Sequence, residues 1–128
     1  MISVWPVLEK LKTALAAVDG VATCKIGLEQ GIAHEDYPII RLVPTEMREG
    51  GNFTRRKATV LIYFGAAVDE SKDGLEGVYQ TLLALEEKII DAATAPGPGW
   101  RSKYLDTITD EDRLELYKLM AVRVEVEG

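Results

Sequence analysis

The sequence predicts an α+β fold: an antiparallel β-sheet of four to five strands with two helices packed on one face, in the order α-β-β-β-α-β-β, within a single domain spanning residues 1–128. Three observations carry this expectation. Two segments repeat apolar residues at three- and four-residue steps, which is helical spacing. Four or five others alternate, or run apolar with β-branched and aromatic side chains, which is strand spacing. The strand segments also follow one another with too few helices between them for a parallel, doubly wound sheet.

Residues 3–18 read as the first helix, with Val4, Val7, Leu8, Leu11, Leu15 and Val18 on one stripe. Ser3 is the expected N-cap, Pro6 sits in the first turn where its missing amide hydrogen costs little, and Asp19-Gly20 ends the helix. A short strand is expected from Val21 to Leu28, followed by a loop holding Gly31, Glu35 and Asp36. Tyr37–Pro44, "YPIIRLVP", reads as a strand bracketed by prolines, and Lys57–Ala67, "KATVLIYFGAA", as the strongest strand of the chain. Between them Gly50, Gly51 and Asn52 suit a reversal, so the two form a long hairpin with Met47–Arg56 at its tip. After a polar turn at 69–74, Leu75, Val78, Tyr79, Leu82, Leu85 and Ile89 define a second helix to about Ala95, which "APGPGW" breaks. "YLDTI" reads as a short strand and "TDEDR" as a turn. The tail then alternates, with Leu114, Leu116, Met120, Val122, Val124 and Val126 on one side and Lys118 as the exception.

Composition narrows the function. Apolar residues make up 47% and charged residues 28%, the mixture of a soluble globular domain. No apolar run approaches the roughly 20 residues of a bilayer helix. "MISVWPVLEKLK" lacks the basic start and cleavage site of a signal peptide, and the single Cys24 forms no internal disulfide, so a cytoplasmic, unsecreted protein is expected. A formal charge of −6 argues against generic nucleic-acid binding, and no sequence-specific nucleic-acid partner is expected. The one basic cluster is the hairpin tip, where Arg48, Arg55, Arg56 and Lys57 outnumber Glu46 and Glu49.

No catalytic, metal or cofactor signature assembles. His34 lies beside Glu35 and Asp36 but lacks the paired histidine or cysteine spacing of a metal site, and reads as a solvated loop residue. Cys24 alternates as a strand residue and reads as a small buried hydrophobe. Asp106, Asp110, Glu111 and Asp112 fail the calcium-loop test, because Ile108 occupies a ligand position and Glu111 the place of the turn glycine. The serines lie in no nucleophile elbow, and the glycines form no phosphate-binding loop. Trp100 reads as a core-capping residue.

One anomaly stands out. In 57–67, Ala58, Val60, Ile62 and Phe64 share one face, while Thr59, Leu61 and Tyr63 share the other, and Ile39–Val43 is mostly apolar on both faces as well. Two helices cover one side. Each large apolar side chain left wet forgoes roughly 1.5–3 kcal/mol, so the second side calls for the chain's own loops or a neighbouring subunit.

The N-terminal helix, "YPIIRLVPTE", the glycine-containing loop, "RRKATVLIYFGAA", "LEGVYQTLLALEEKIIDA" and the closing "MAVRVEVEG" together resemble the tail terminator, or tail-completion, proteins of long-tailed bacteriophages and prophages. The resemblance lies in element order, length and apolar pattern. It implies a structural protein without catalysis or cofactor: a hexameric ring that ends tail-tube polymerisation and joins the tail to the head connector. The implied partners are further copies of the chain, the tail tube protein and the head-completion or connector protein, with assembly in the host cytoplasm and a final place in the virion. The implied partner-contact loop comprises Arg48, Asn52, Arg55, Arg56 and Lys57, and the implied subunit interface Leu61, Tyr63, Ile40 and Leu42. Two other classes compete: a ferredoxin-like binding or regulatory module acting as an oligomer, and an acylphosphatase-like hydrolase using Asn52, Arg55 and Arg56.

Overall fold

The computed structural model describes residues 3–29, 32–49, 56–67, 74–95, 100–109 and 117–128. Helix Trp5–Ala16 (α1) leads to strand Thr23–Ile26 (β1), a 3-10 turn at His34–Asp36, and strands Ile39–Glu49 (β2) and Arg56–Ala67 (β3). Helix Gly74–Thr94 (α2) and strands Arg101–Thr109 (β4) and Tyr117–Glu127 (β5) follow. The class is α+β and the element order is the expected one.

The strands form one sheet in the order β1-β2-β3-β5-β4. All pairings are antiparallel except β1 with β2, which run parallel. A parallel pair obliges the chain to cross back over the sheet before pairing again. Among the described residues between β1 and β2 the one helical element is the 3-10 turn, and Gly27 turns the chain out of β1 at φ 95° after its amide bonds the Leu42 carbonyl at 2.7 Å. This parallel edge is the one departure from a wholly antiparallel sheet.

Both helices lie on the same face. Val4, Val7, Leu8, Leu11 and Leu15 of the α1 stripe and Val78, Leu82, Leu85, Ile89 and Ala93 of α2 close over Ile40, Leu42, Ala58, Val60, Ile62, Phe64, Met120, Val122, Val124 and Val126 in one continuous cluster. Trp100 packs against its margin, as its sequence reading expects. Each fully buried Leu, Ile or Phe here contributes roughly 1.5–3 kcal/mol, which makes this layer the main source of stability. The N-cap of α1 is Val4 rather than Ser3; the Ser3 Oγ accepts the Trp5 amide at 3.1 Å.

Three strands extend or differ from the sequence reading. β2 runs on to Glu49, because the register shifts between Pro44 and Glu46, and a bulge is one of the few places a strand tolerates proline. Met47, Arg48 and Glu49 therefore pair with Ala58, Lys57 and Arg56, and much of the expected tip is strand. β4 runs from Arg101 to Thr109 rather than over "YLDTI" alone, with a shift between Tyr104 and Asp106 that breaks its alternation. In β5 the exceptional Lys118 is buried on the helix face, its ammonium 5.7 Å from the Tyr79 ring centroid. Leu114 and Leu116 lie outside the described residues.

Gly65 marks the closest approach within the sheet. A Cβ there would collide with Leu119 Cδ2 and lie 2.9 Å from the Lys118 carbonyl oxygen, which belongs to the backbone and does not yield. Gly65→Ala is therefore expected to lower unfolding free energy by about 1–3 kcal/mol in urea denaturation. Unchanged stability would contradict this packing.

Candidate functional site

The face turned away from the helices is the candidate site, and the strand register lays it out in rows. Arg41, Tyr63, Ala121 and Ile108 lie abreast on β2, β3, β5 and β4; the next row is Val43, Leu61, Arg123 and Asp106. Beyond it come Glu46, Thr59, Glu125 and Lys103, then Arg48, Lys57, Glu127 and Arg101. One half of the face thus groups the apolar Tyr63, Ala121, Ile108, Val43 and Leu61 between Arg41 and the Arg123–Asp106 pair, and the other half is a ladder of mixed charge.

At the β1 edge the chain covers itself. Ile39 and Arg41 have no exposure although both point away from the helices. Arg41 donates Nε and Nη2 to Glu29 Oε1 at 3.2 and 2.8 Å, and Nη1 to the Thr23 and Ile40 carbonyls at 3.2 and 2.9 Å. Thr23 Oγ1 donates to the Asp36 carbonyl at 2.9 Å. These bonds tie Glu29 and Asp36 to the first two strands. The Arg41 guanidinium beside Glu29 holds that carboxyl below its ordinary range, more strongly than the nearby Lys25 does.

The middle of the face is less well covered. Val43, Leu61, Tyr63 and Leu119 are half-buried, and Ile108 is 49% exposed. Tyr63, Ile108, Thr109, Leu119, Met120 and Ala121 line a shallow depression of about 190 Å³. Apolar side chains grouped in this way on a sheet mark a contact surface more often than isolated exposed ones do.

Of the residues proposed for the subunit interface, Leu61 and Tyr63 lie here. Ile40 and Leu42 do not. The register pairs them with Phe64 and Ile62, which turns both under the helices with no exposure, so they belong to the core. Their neighbours Ile39, Arg41 and Val43 take the other face.

The proposed partner-contact loop is also redistributed. Arg48 is an ion-pair hub, reaching Glu125 and Glu46, the latter at 3.3 Å, while Lys57 Nζ stands 3.7 Å from Glu125 and 3.9 Å from Glu127. Both are strand residues whose charges are engaged within the chain. Arg56 pairs across from Glu49 and its Nε is buried without a partner. Asn52 and Arg55 lie outside the described residues.

The remaining candidates bring no chemistry together. Asp106 accepts Arg123 Nε and Nη2 at 3.0 and 2.6 Å, and the bonds raise the arginine pKa. Asp110, Glu111 and Asp112 lie outside the described residues. His34 opens the 3-10 turn. Cys24 is half-buried against the core, its thiol directed at the Lys12 carbonyl at 3.7 Å, and burial pushes its pKa up, away from the reactive thiolate. Among the described residues no group of three histidine, cysteine or acidic side chains could hold a metal ion, and no helix is long and apolar enough to cross a membrane.

Arg41 is the residue that sequence reasoning missed. Its signal was an arginine inside the apolar run "YPIIRLVP", where a charge survives only with a partner. Comparison of the chain with protein-family models and with curated proteins finds no match.

The crossover latch has a pH signature. Because folding lowers the Glu29 pKa, its contribution is complete above the ordinary carboxylate range and is lost as pH falls through the lowered folded value. Glu29→Gln should destabilise the protein at neutral pH, and the gap to wild type in thermal melts should close on acidification. A constant gap down to strong acid would contradict the latch.

Proposed function

We propose that this chain is a structural assembly protein of the tail-terminator kind, a subunit of a hexameric ring that ends tail-tube polymerisation and joins a phage or prophage tail to its head connector. The observation that carries the reading is the apolar centre of the second sheet face, where Val43, Leu61, Tyr63 and Leu119 are only half-buried and Ile108 is exposed among the described residues, opposite a face already sealed by both helices. A surface of this sort is stabilised by burial against another protein, and further copies of the chain are the partner that a ring requires. The family resemblance supplies the tail context, and the α-β-β-β-α-β-β order agrees with it.

A ring contact is head-to-tail: the patch on one copy meets a different patch on the next, and closure depends on the rotation between them. Isolated subunits can therefore stay apart in dilute solution and assemble on a tube end. With Arg48 and Lys57 engaged in ion pairs, the members of the proposed contact set left for the tube or connector are Arg56 and the residues outside the described ones, Asn52 and Arg55. No observation favours the ferredoxin-like alternative. That topology repeats a split βαβ unit, whereas here only β3-α2-β4, with β5 between the strands, has that form.

The test is assembly on tail tubes, followed by negative-stain electron microscopy. Wild type should cap tubes as rings, and Leu61→Asp, checked for folding by circular dichroism, should cut capping by more than about tenfold. Glu87→Lys, on the exposed face of α2, should cap normally. Absence of rings and of tube binding at every concentration would overturn the proposal.

A further inference from the structure

Among the described residues the sheet ends on one side in a long edge strand: β4 runs from Arg101 to Thr109 and pairs there with β5 alone. Tyr104 and Leu105 are each 38% exposed and Ile108 more so. An exposed edge of this length carries a row of unpaired backbone groups, and proteins shorten, cover or pair such strands to avoid open-ended aggregation.

The edge is complementary to itself. Arg101, Lys103, Asp106 and Ile108 project from the face away from the helices, because they register with Glu127, Glu125, Arg123 and Ala121. Ser102 and Thr107 register with Val126 and Val122 and take the helix face. The irregularity at Leu105 is what allows both Lys103 and Asp106 to share a face. In an antiparallel two-fold pairing centred between Tyr104 and Leu105, Lys103 stands opposite Asp106 of the other copy, Ser102 opposite Thr107, Arg101 opposite Ile108, and Tyr104 opposite Leu105. Every outer pair then matches in face. A slip of one residue sets Lys103 against Thr107 on the opposite face and leaves the charges unmatched.

We infer that β4 pairs with β4 of a second copy of this chain, in that register, to give a two-fold dimer with one continuous ten-stranded sheet. Opposite charges and apolar side chains directly across an antiparallel pair are the favourable combinations. Among the described residues Lys103 has no ion-pair partner, while Asp106, whose two carboxylate oxygens accept Arg123 Nε and Nη2, keeps 46% of its side chain exposed. The dimer contact is isologous and cannot be the head-to-tail contact that closes a ring, so the two associations stand or fall separately. An interface confined to one strand belongs to the weak, concentration-dependent class.

The experiment uses the wild-type full chain. Unlabelled and heavy-nitrogen-labelled protein are mixed dilute, concentrated, treated with a carbodiimide that joins amines directly to carboxylates, and examined by mass spectrometry alongside sedimentation. The expected product is a Lys103–Asp106 crosslink of mixed label; the mixed label separates it from linkage within one chain. Lys103→Gln should weaken the dimer about fivefold, and Leu61→Asp should leave it unchanged. A protein monomeric across the concentration series, or a dimer without the mixed Lys103–Asp106 crosslink, overturns the inference.

Discussion

A sheet that is apolar on both sides, with helices enough for one, is the constraint on which the rest of this molecule depends. β3 sits at its centre, paired with β2 and β5 over most of its length. On the helix face, Ala58, Val60, Ile62 and Phe64 vanish into the core. On the other face the chain uses two different means. At the β1 edge Ile39 and Arg41 are buried, and Glu29 bonds the Arg41 guanidinium. At the hairpin end, charged side chains replace apolar ones and neutralise each other as Arg48, Lys57, Glu125 and Glu127. Between them the patch around Leu61 and Tyr63 stays half-buried among the described residues.

The two polar devices differ in physical character. Arg41 is sealed from water, so its acceptors are obligatory; an arginine there without Glu29 and the two carbonyls would carry an uncompensated buried charge. The ladder is partly exposed, and each of its pairs is worth little alone. Its effect lies in geometry. It holds long cationic side chains down on the sheet and draws the boundary of the apolar patch.

Much of the architecture was legible from periodicity. The α1 and α2 stripes, the hairpin and the closing strand follow the repeat of the sequence, since one buried face forces a regular spacing. What escaped depended on pairing between distant segments. Alternation in "YPIIRLVP" separates Ile40 and Leu42 from Ile39 and Arg41 but does not say which pair faces the helices; the register against Phe64 and Ile62 decides that. Pro44 reads as a strand end, and only the bulge lets β2 continue. The shift at Leu105 likewise hides β4, whose outward residues do not alternate. The parallel pairing of β1 leaves no trace in composition because, among its described residues, its connection to β2 holds only a 3-10 turn. Lys118 looked misplaced until Tyr79, from another element, supplied its partner.

The central claim is that the middle of the second face, half-exposed in a single copy, becomes dry in the assembled protein. Hydroxyl-radical footprinting of Leu61, Tyr63 and Leu119, compared between sedimentation-verified monomer and tube-bound protein, tests it most directly. The account predicts strong labelling in the monomer and protection once assembled, with Leu82 beneath α2 unlabelled in both. Protection of Leu61 and Tyr63 in the monomer, equal to that of Leu82, would contradict it.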